Sequence, residues 1–140
     1  MSREHVRNEV IVKASKVLED VKSLLGGQSI AMTTDTWTSV SNVTFSSLTA
    51  HFIDKNWKHV DLPIGCFQFP GKHTAADCDR HFREMIKKCG IEGNQIVTVT
   101  TDNEATMNAW GDMMEWDWIG CIAHLINLVT KIAFDDESIK

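Results

Sequence analysis

Two aspartates, Asp35 and Asp102, each follow directly on an apolar, β-branched run that reads as a buried strand. The first run, residues 29–34, closes into Thr33-Thr34-Asp35-Thr36-Trp37-Thr38-Ser39, and the second, residues 95–101, closes on Asp102 and Asn103. A carboxylate at the C-terminal end of a strand stands at the crevice where open α/β sheets bind their ligands. Two such carboxylates on neighbouring strands can share divalent cations, which activate an attacking water and steady the leaving oxygen of a phosphodiester. Mg²⁺ or Mn²⁺ suits such a set, because hard ions prefer carboxylate and water oxygens. The same residues also read as caps of the turn or helix that follows each strand, and the sequence leaves both readings open. Two carboxylates make a thin cage. Glu104, Asp112, Glu115 and Asp117 are the candidates for a third, yet none is expected at the start of a helix that follows a further strand.

Cys121-Ile122-Ala123-His124 is the second constellation. A Cys and a His three apart share one helix face and can hold a soft metal. Zinc would need further ligands, for which Cys66, His73 and His81 are the candidates, without any paired spacing among them. His124 can instead donate to a phosphate beside the carboxylates, and a buried Cys with a backbone-satisfied His is the plainer alternative. A Cys–His nucleophile lacks a third, orienting group. Among five tryptophans, Trp37 follows the first Asp motif and can stack on a base, although most such rings serve packing. No glycine-rich phosphate loop occurs, which places a phosphotransferase half-domain last among the functions considered.

The elements that position these residues follow from periodicity. Residues 3–25 repeat Val6, Val10, Ala14, Val17, Leu18, Val21, Leu24 and Leu25 at three- and four-residue steps, an amphipathic helix closed by Gly26-Gly27. Strands are expected at residues 29–34, 44–54 and 59–69, the last with a bulge at Gly65, joined as an antiparallel meander with a tight turn at Asp54-Lys55-Asn56. A helix over residues 74–89 opens on Thr74 and Asp77 and buries Ala75, Cys78, Phe82, Met85, Ile86 and Cys89. Strand four covers residues 95–101, a short helix residues 105–110, and a last helix residues 118–134, burying Ile122, Leu125, Ile126, Val129 and Ala133. A helical crossover between strands favours a parallel neighbour. The expected fold is α/β with a mixed sheet of order 3-2-1-4 and flanking helices, the edge beside strand four being unpaired and open to self-association.

Composition sets the outer bounds. The 140 residues suit one domain; 43% are apolar and 24% charged, which argues against disorder. No apolar run approaches a membrane span and no signal peptide is visible, so no membrane partner is expected. Four scattered cysteines fit a reducing compartment. The net charge of −5 gives no overall basic footprint for DNA, with acidity concentrated at residues 112–117 and in the tail Asp135-Asp136-Glu137. Basic residues gather at 55–59 and 73–88, either a phosphate-facing side or a solvated helix face.

The chain resembles the hAT family of DNA transposases and their domesticated BED-finger relatives. The resemblance rests on Thr34-Asp35-Thr36-Trp37-Thr38-Ser39, Ala50-His51-Phe52-Ile53-Asp54 with Trp57, and His73-Thr74-Ala75-Ala76. It continues through Thr101-Asp102-Asn103-Glu104-Ala105-Thr106-Met107-Asn108 to Cys121-Ile122-Ala123-His124-Leu125-Ile126-Asn127-Leu128. Five short motifs in order resemble the first part of that family's ribonuclease-H-like catalytic domain, with residues 1–27 as a lead-in helix and residues 28–140 as a truncated domain. The resemblance implies that Asp35 and Asp102 are two members of an acidic triad that holds Mg²⁺ or Mn²⁺ for DNA strand cleavage and transfer. It also implies that His124 approaches DNA, and that the parent protein is nuclear and takes no small-molecule substrate. The family's third acid, a Glu, follows a fifth strand and a long helical insertion, all expected to lie beyond Lys140, and the BED zinc finger is likewise not in the sequence. Leu125-Ile126 stands where relatives often carry Thr-Leu. Whether the chain is an enzyme therefore stays open: a transposase-type fragment inactive alone, or a non-enzymatic nuclear interaction module.

Overall fold

Alternation along three consecutive runs builds the sheet. In the computed structural model, which describes residues 2–135, β1 (Ile30–Thr38), β2 (Thr44–Ile53) and β3 (His59–Gln68) form the expected antiparallel meander. Ile30, Met32 and Thr34 of β1 are buried, and so are Leu48, Ala50 and Phe52 of β2, so one face of the meander is dry and the other half-exposed. Asp54 closes the second turn, its Oδ1 accepting the N–H groups of Asn56 and Lys58 at 2.8 and 2.9 Å. Leu48 pairs with Gly65 and Thr49 with Pro63, leaving Ile64 as the extra residue of a bulge at the expected place.

The dry face is covered by α2 (Ala75–Lys88), whose Thr74 cap accepts the Asp77 N–H. Its Cys78, Phe82, Met85 and Ile86 enter the core, as the helical period predicts, together with His81. A short 3-10 turn, Gly93–Gln95, leads into β4 (Ile96–Thr101), which runs parallel to β1. α3 (Ala105–Gly111) adds Trp110, packed edge-on to Phe82 at 5.4 Å.

Two expectations need correction. The sheet has five strands in the order β3-β2-β1-β4-β5, because Asp117–Gly120 forms β5, parallel to β4. The fifth strand therefore lies within the chain, and the edge beside β4 is paired. α4 begins only at Ile122 and runs to Asp135; the tail residues Asp136 and Glu137 lie outside the described residues.

The second correction concerns the apolar stripe of α4, which is not buried: Ile122, Leu125, Ile126 and Val129 are all exposed. With residues 118–120 committed to β5, the helix starts at the rim of the sheet, and no described element covers its apolar side. α1 (Arg3–Leu25) has its expected bounds, yet only Leu25 is buried. It stands off β3 over a groove of about 340 Å³ lined by Val17, Leu18, Val21, Ile64 and Phe67. Gln95 Nε2 anchors its end by donating to the Leu25 carbonyl at 2.9 Å.

Candidate functional site

The parallel pairing of β1 and β4 sets the geometry. Thr33 and Thr100 are the last pair of the parallel ladder, and Asp35 and Asp102 each follow it by two residues. Both carboxylates leave their strands on the half-exposed side, since side chains two apart share a face. They line one cavity of about 280 Å³ with Thr33, Thr34, Thr100, Thr101, Cys121 and His124.

Each aspartate also bonds locally. Asp35 Oδ1 accepts the Thr36 N–H at 2.9 Å, and Asp102 Oδ1 accepts the Glu104 N–H at 3.1 Å, ahead of α3. Only Asp102 has the contact of a cap: β1 runs on to Thr38 and pairs Asp35 with Ser47, so the expected end of the first strand at Thr34, and a cap at Asp35, are corrected, because pairing with β2 carries the strand past the aspartate. The strand ends beneath are fixed by buried hydroxyls. Thr34 Oγ1 donates to the Ser47 carbonyl at 2.8 Å, while Thr101 Oγ1 donates to the Asp102 carbonyl and accepts from Trp118 Nε1 at 3.0 Å.

His124 reaches the cavity because the start of α4 is tied to the end of β4. The Cys121 N–H donates to the Thr101 carbonyl at 2.8 Å, and Asn103 Nδ2 donates to the Cys121 carbonyl at 2.8 Å. Gly120 makes room for this clamp, for a Cβ there would lie 2.0 Å from Asn103 Oδ1. Neither Asn103 nor Gly120 is singled out by sequence reasoning; the only signal is their position beside Asp102 and Cys121.

Trp37 is placed differently. It is 42% exposed, stacks on Phe45 at 6.0 Å, and lines a second cavity of about 300 Å³ with Phe69, His73, Asp102 and Glu104. Asp102 forms part of both cavities, whereas Trp37 does not touch the one that holds Asp35 and His124. Of the four candidate third acids, only Glu104 comes near Asp102. Glu115 pairs with Arg83 at 2.7 Å, Asp117 is level with Thr98 farther down β4, and Asp112 caps the end of α3.

The structure does not assemble the zinc set considered around Cys121 and His124. Cys66 is exposed on β3, His73 lines the Trp37 cavity, and His81 is buried against Phe69. The basic stretch is a solvated helix face: Arg80 pairs with Asp77, and Arg83 with Asp79 and Glu115. Burial, reinforced by the charges of Asp77 and Asp102, pushes the Cys78 thiol up to about 11, so it stays protonated and unreactive at neutral pH.

In donor chemistry the cavity offers two carboxylates, with Cys121 and His124 at its side. The carboxylate pair fits Mg²⁺ or Mn²⁺, hard ions that prefer oxygen ligands. Residues 33–116, from the middle of β1 through both aspartates to the threshold of β5, match the family described as the ZBED1 RNase-like domain. The chain belongs to the ZBED1 RNase-like domain family.

The relatives agree with this ZBED1-type assignment. The chain is 28% identical over 139 residues to a "Putative transcriptional regulator tpeD" of Talaromyces stipitatus, covering 90% of this chain and 16% of that protein. It is 27% identical over 129 residues to a "Putative AC transposase" of Zea mays, covering 81% of this chain and 15% of that protein. A "Putative AC9 transposase" of Zea mays matches at the same identity and coverage. The kinship with hAT-type transposases and their ZBED relatives is borne out, and so is the ribonuclease-H-like α/β fold. The chain spans about a sixth of the length of these relatives.

Proposed function

We propose that this ZBED1 RNase-like domain carries two acids of a divalent-metal site that serves DNA strand cleavage and transfer in a longer, nuclear, transposase-like protein. The observation that carries the proposal is the cavity just beyond the last β1–β4 pair, which Asp35, Asp102 and His124 line together. Asp35 and Asp102 would hold Mg²⁺ or Mn²⁺ with their carboxylates. The bound ion supplies an activated water and a stabilised leaving oxygen. His124 donates to a DNA phosphate, and Trp37 offers its exposed face to a base at the adjoining cavity. With two carboxylates the 140-residue chain binds metal weakly and cleaves no DNA by itself. Self-association belongs to the same proposal and is carried by the apolar side of α4.

The test is a thermal melt with and without Mn²⁺ on the wild type and on Asp102→Ala. For a dissociation constant of order 1 mM, 10 mM Mn²⁺ adds about 1.4 kcal/mol to the native state. That raises the midpoint by about 4 °C in a domain of this size. The rise is expected in the wild type and absent in the variant. No rise in either protein sinks the metal reading.

The second reading is a non-enzymatic nuclear interaction module. The match to a transcriptional regulator across 90% of the chain favours it, as does the net charge of −5. It predicts an unchanged melt in Mn²⁺.

A further inference from the structure

The half-exposed face of the meander carries a nitrogen-rich cluster that the carboxylate site does not use. His51 on β2 is paired across the ladder with Asp61 on β3, and His59, two residues before Asp61, faces the same side. His51 Nδ1 lies 2.6 Å from Asp61 Oδ1, and His59 Nδ1 lies 3.4 Å from Asp61 Oδ2. The two imidazoles are close to parallel, 10° apart in plane with centroids separated by 6.3 Å. One ligand atom from each of the three residues falls within 4.8 Å of the others.

We propose that His51, His59 and Asp61 form a site for Zn²⁺, distinct from the Asp35–Asp102 pair. Two imidazole nitrogens and one carboxylate oxygen are the donor types of a three-residue zinc site, with a fourth position left to water. Tetrahedral ligands at bond lengths of about 2.0–2.2 Å stand about 3.4 Å apart, so the His59–Asp61 separation of 3.4 Å already suits an ion and the 2.6 Å His51–Asp61 contact opens by a side-chain rotation to admit it. His51 has a partner behind it as well. Its Nε2 lies 2.8 Å from Thr33 Oγ1, a hydroxyl that can accept the Nε2–H once an ion takes the place of the Nδ1 proton that now bridges to Asp61. Both oxygens of Asp61 are engaged, one by each imidazole, so the three side chains converge on one point of the surface. The strands fix the spacing, because the β2–β3 ladder is paired from Phe45 to Ile53. Donor chemistry also separates the two sites: nitrogen ligands select zinc, while the all-oxygen pair selects Mg²⁺ or Mn²⁺.

Calorimetric titration of the 140-residue chain with ZnCl₂ tests the proposal, on the wild type, His59→Ala, Asp61→Asn and Cys121→Ser. The expected result is one Zn²⁺ per chain, bound at least tenfold more weakly by the His59 and Asp61 variants and unchanged in Cys121→Ser. Excess Mg²⁺ is expected to leave the zinc affinity as it was. Co²⁺ substitution gives a second readout, visible absorption that is lost in His59→Ala. The side chains of His59 and Asp61 are 60% and 58% exposed, so the variants keep the fold, which far-UV circular dichroism checks. Three outcomes overturn the site: no zinc binding by the wild type, equal affinity in both ligand variants, or loss of binding in Cys121→Ser.

Discussion

His81 sits under α2 with its ring 4.2 Å from and nearly parallel to Phe69, and its Nε2 is buried without a hydrogen-bond partner. Burial lowers its pKa; Lys88, Arg80 and His73 push the same way, and Glu84 opposes them. The sign follows from proton counting. Below the ordinary histidine value the unfolded chain binds a proton that the folded chain refuses. Stability is therefore present above that value and is lost as pH falls toward the depressed one. His81→Phe removes the titration and the unpaired nitrogen together. It is expected to flatten the decline in melting temperature between pH 7 and 5, and to stabilise the fold at pH 5 by about 1 kcal/mol. An unchanged pH slope in the variant would assign the acid sensitivity to other groups. At this scale both carboxylates are legible as residues that follow β-branched strand runs, but the strand end is read correctly only at Asp102, since pairing with β2 carries β1 past Asp35 to Thr38. His81 is not legible, since a histidine in an apolar stripe reads as polar, although positions 78, 81, 82 and 85 share one helix face.

At the scale of elements, the joint between β4, β5 and α4 depends on one small residue. Gly120→Ala would drive a methyl group into Asn103 Oδ1, turning the amide away from the Cys121 carbonyl. We predict a loss of about 1–2 kcal/mol for Gly120→Ala and a similar loss for Asn103→Ala, the cost of one unsatisfied group. Urea melts of the double variant should show much less than the sum, because both changes break the same bond. Full additivity would mean that the clamp is not the shared cause. The meander, the Gly65 bulge and the core side of α2 follow from periodicity and turn residues. β5 does not, because Asp117–Gly120 is four residues long and Trp118 and Ile119 fall in step with the helical spacing of Ile122 and Leu125. Pairing with β4 decides its structure, and pairing is a long-range fact that a local pattern lacks.

Across the whole molecule, the core is one-sided: α2 and α3 cover one face of the sheet, while α1 and α4 present apolar side chains to solvent. Val10, Val17, Ile126, Val129 and Ile132 are each at least 59% exposed, and exposed apolar patches mark surfaces that associate. Sedimentation velocity is therefore expected to show self-association that grows with concentration in the micromolar range. The double change Ile126→Gln and Val129→Gln is expected to weaken it, and a concentration-independent monomer would refute the expectation. The physical cause differs from the one the sequence suggests, since β5 pairs the edge beside β4.

The Asn103 clamp gives α4 the mechanics of a lever. Its fulcrum is Cys121, bonded on both its N–H and its carbonyl. At 1.5 Å of rise per residue, His124 lies roughly 4–5 Å from that fulcrum and Phe134 roughly 20 Å. A swing of about 20° would carry Phe134 through roughly 7 Å and His124 through less than about 2 Å. Whatever grips the far end of this helix can travel widely while the histidine keeps its station beside the two carboxylates.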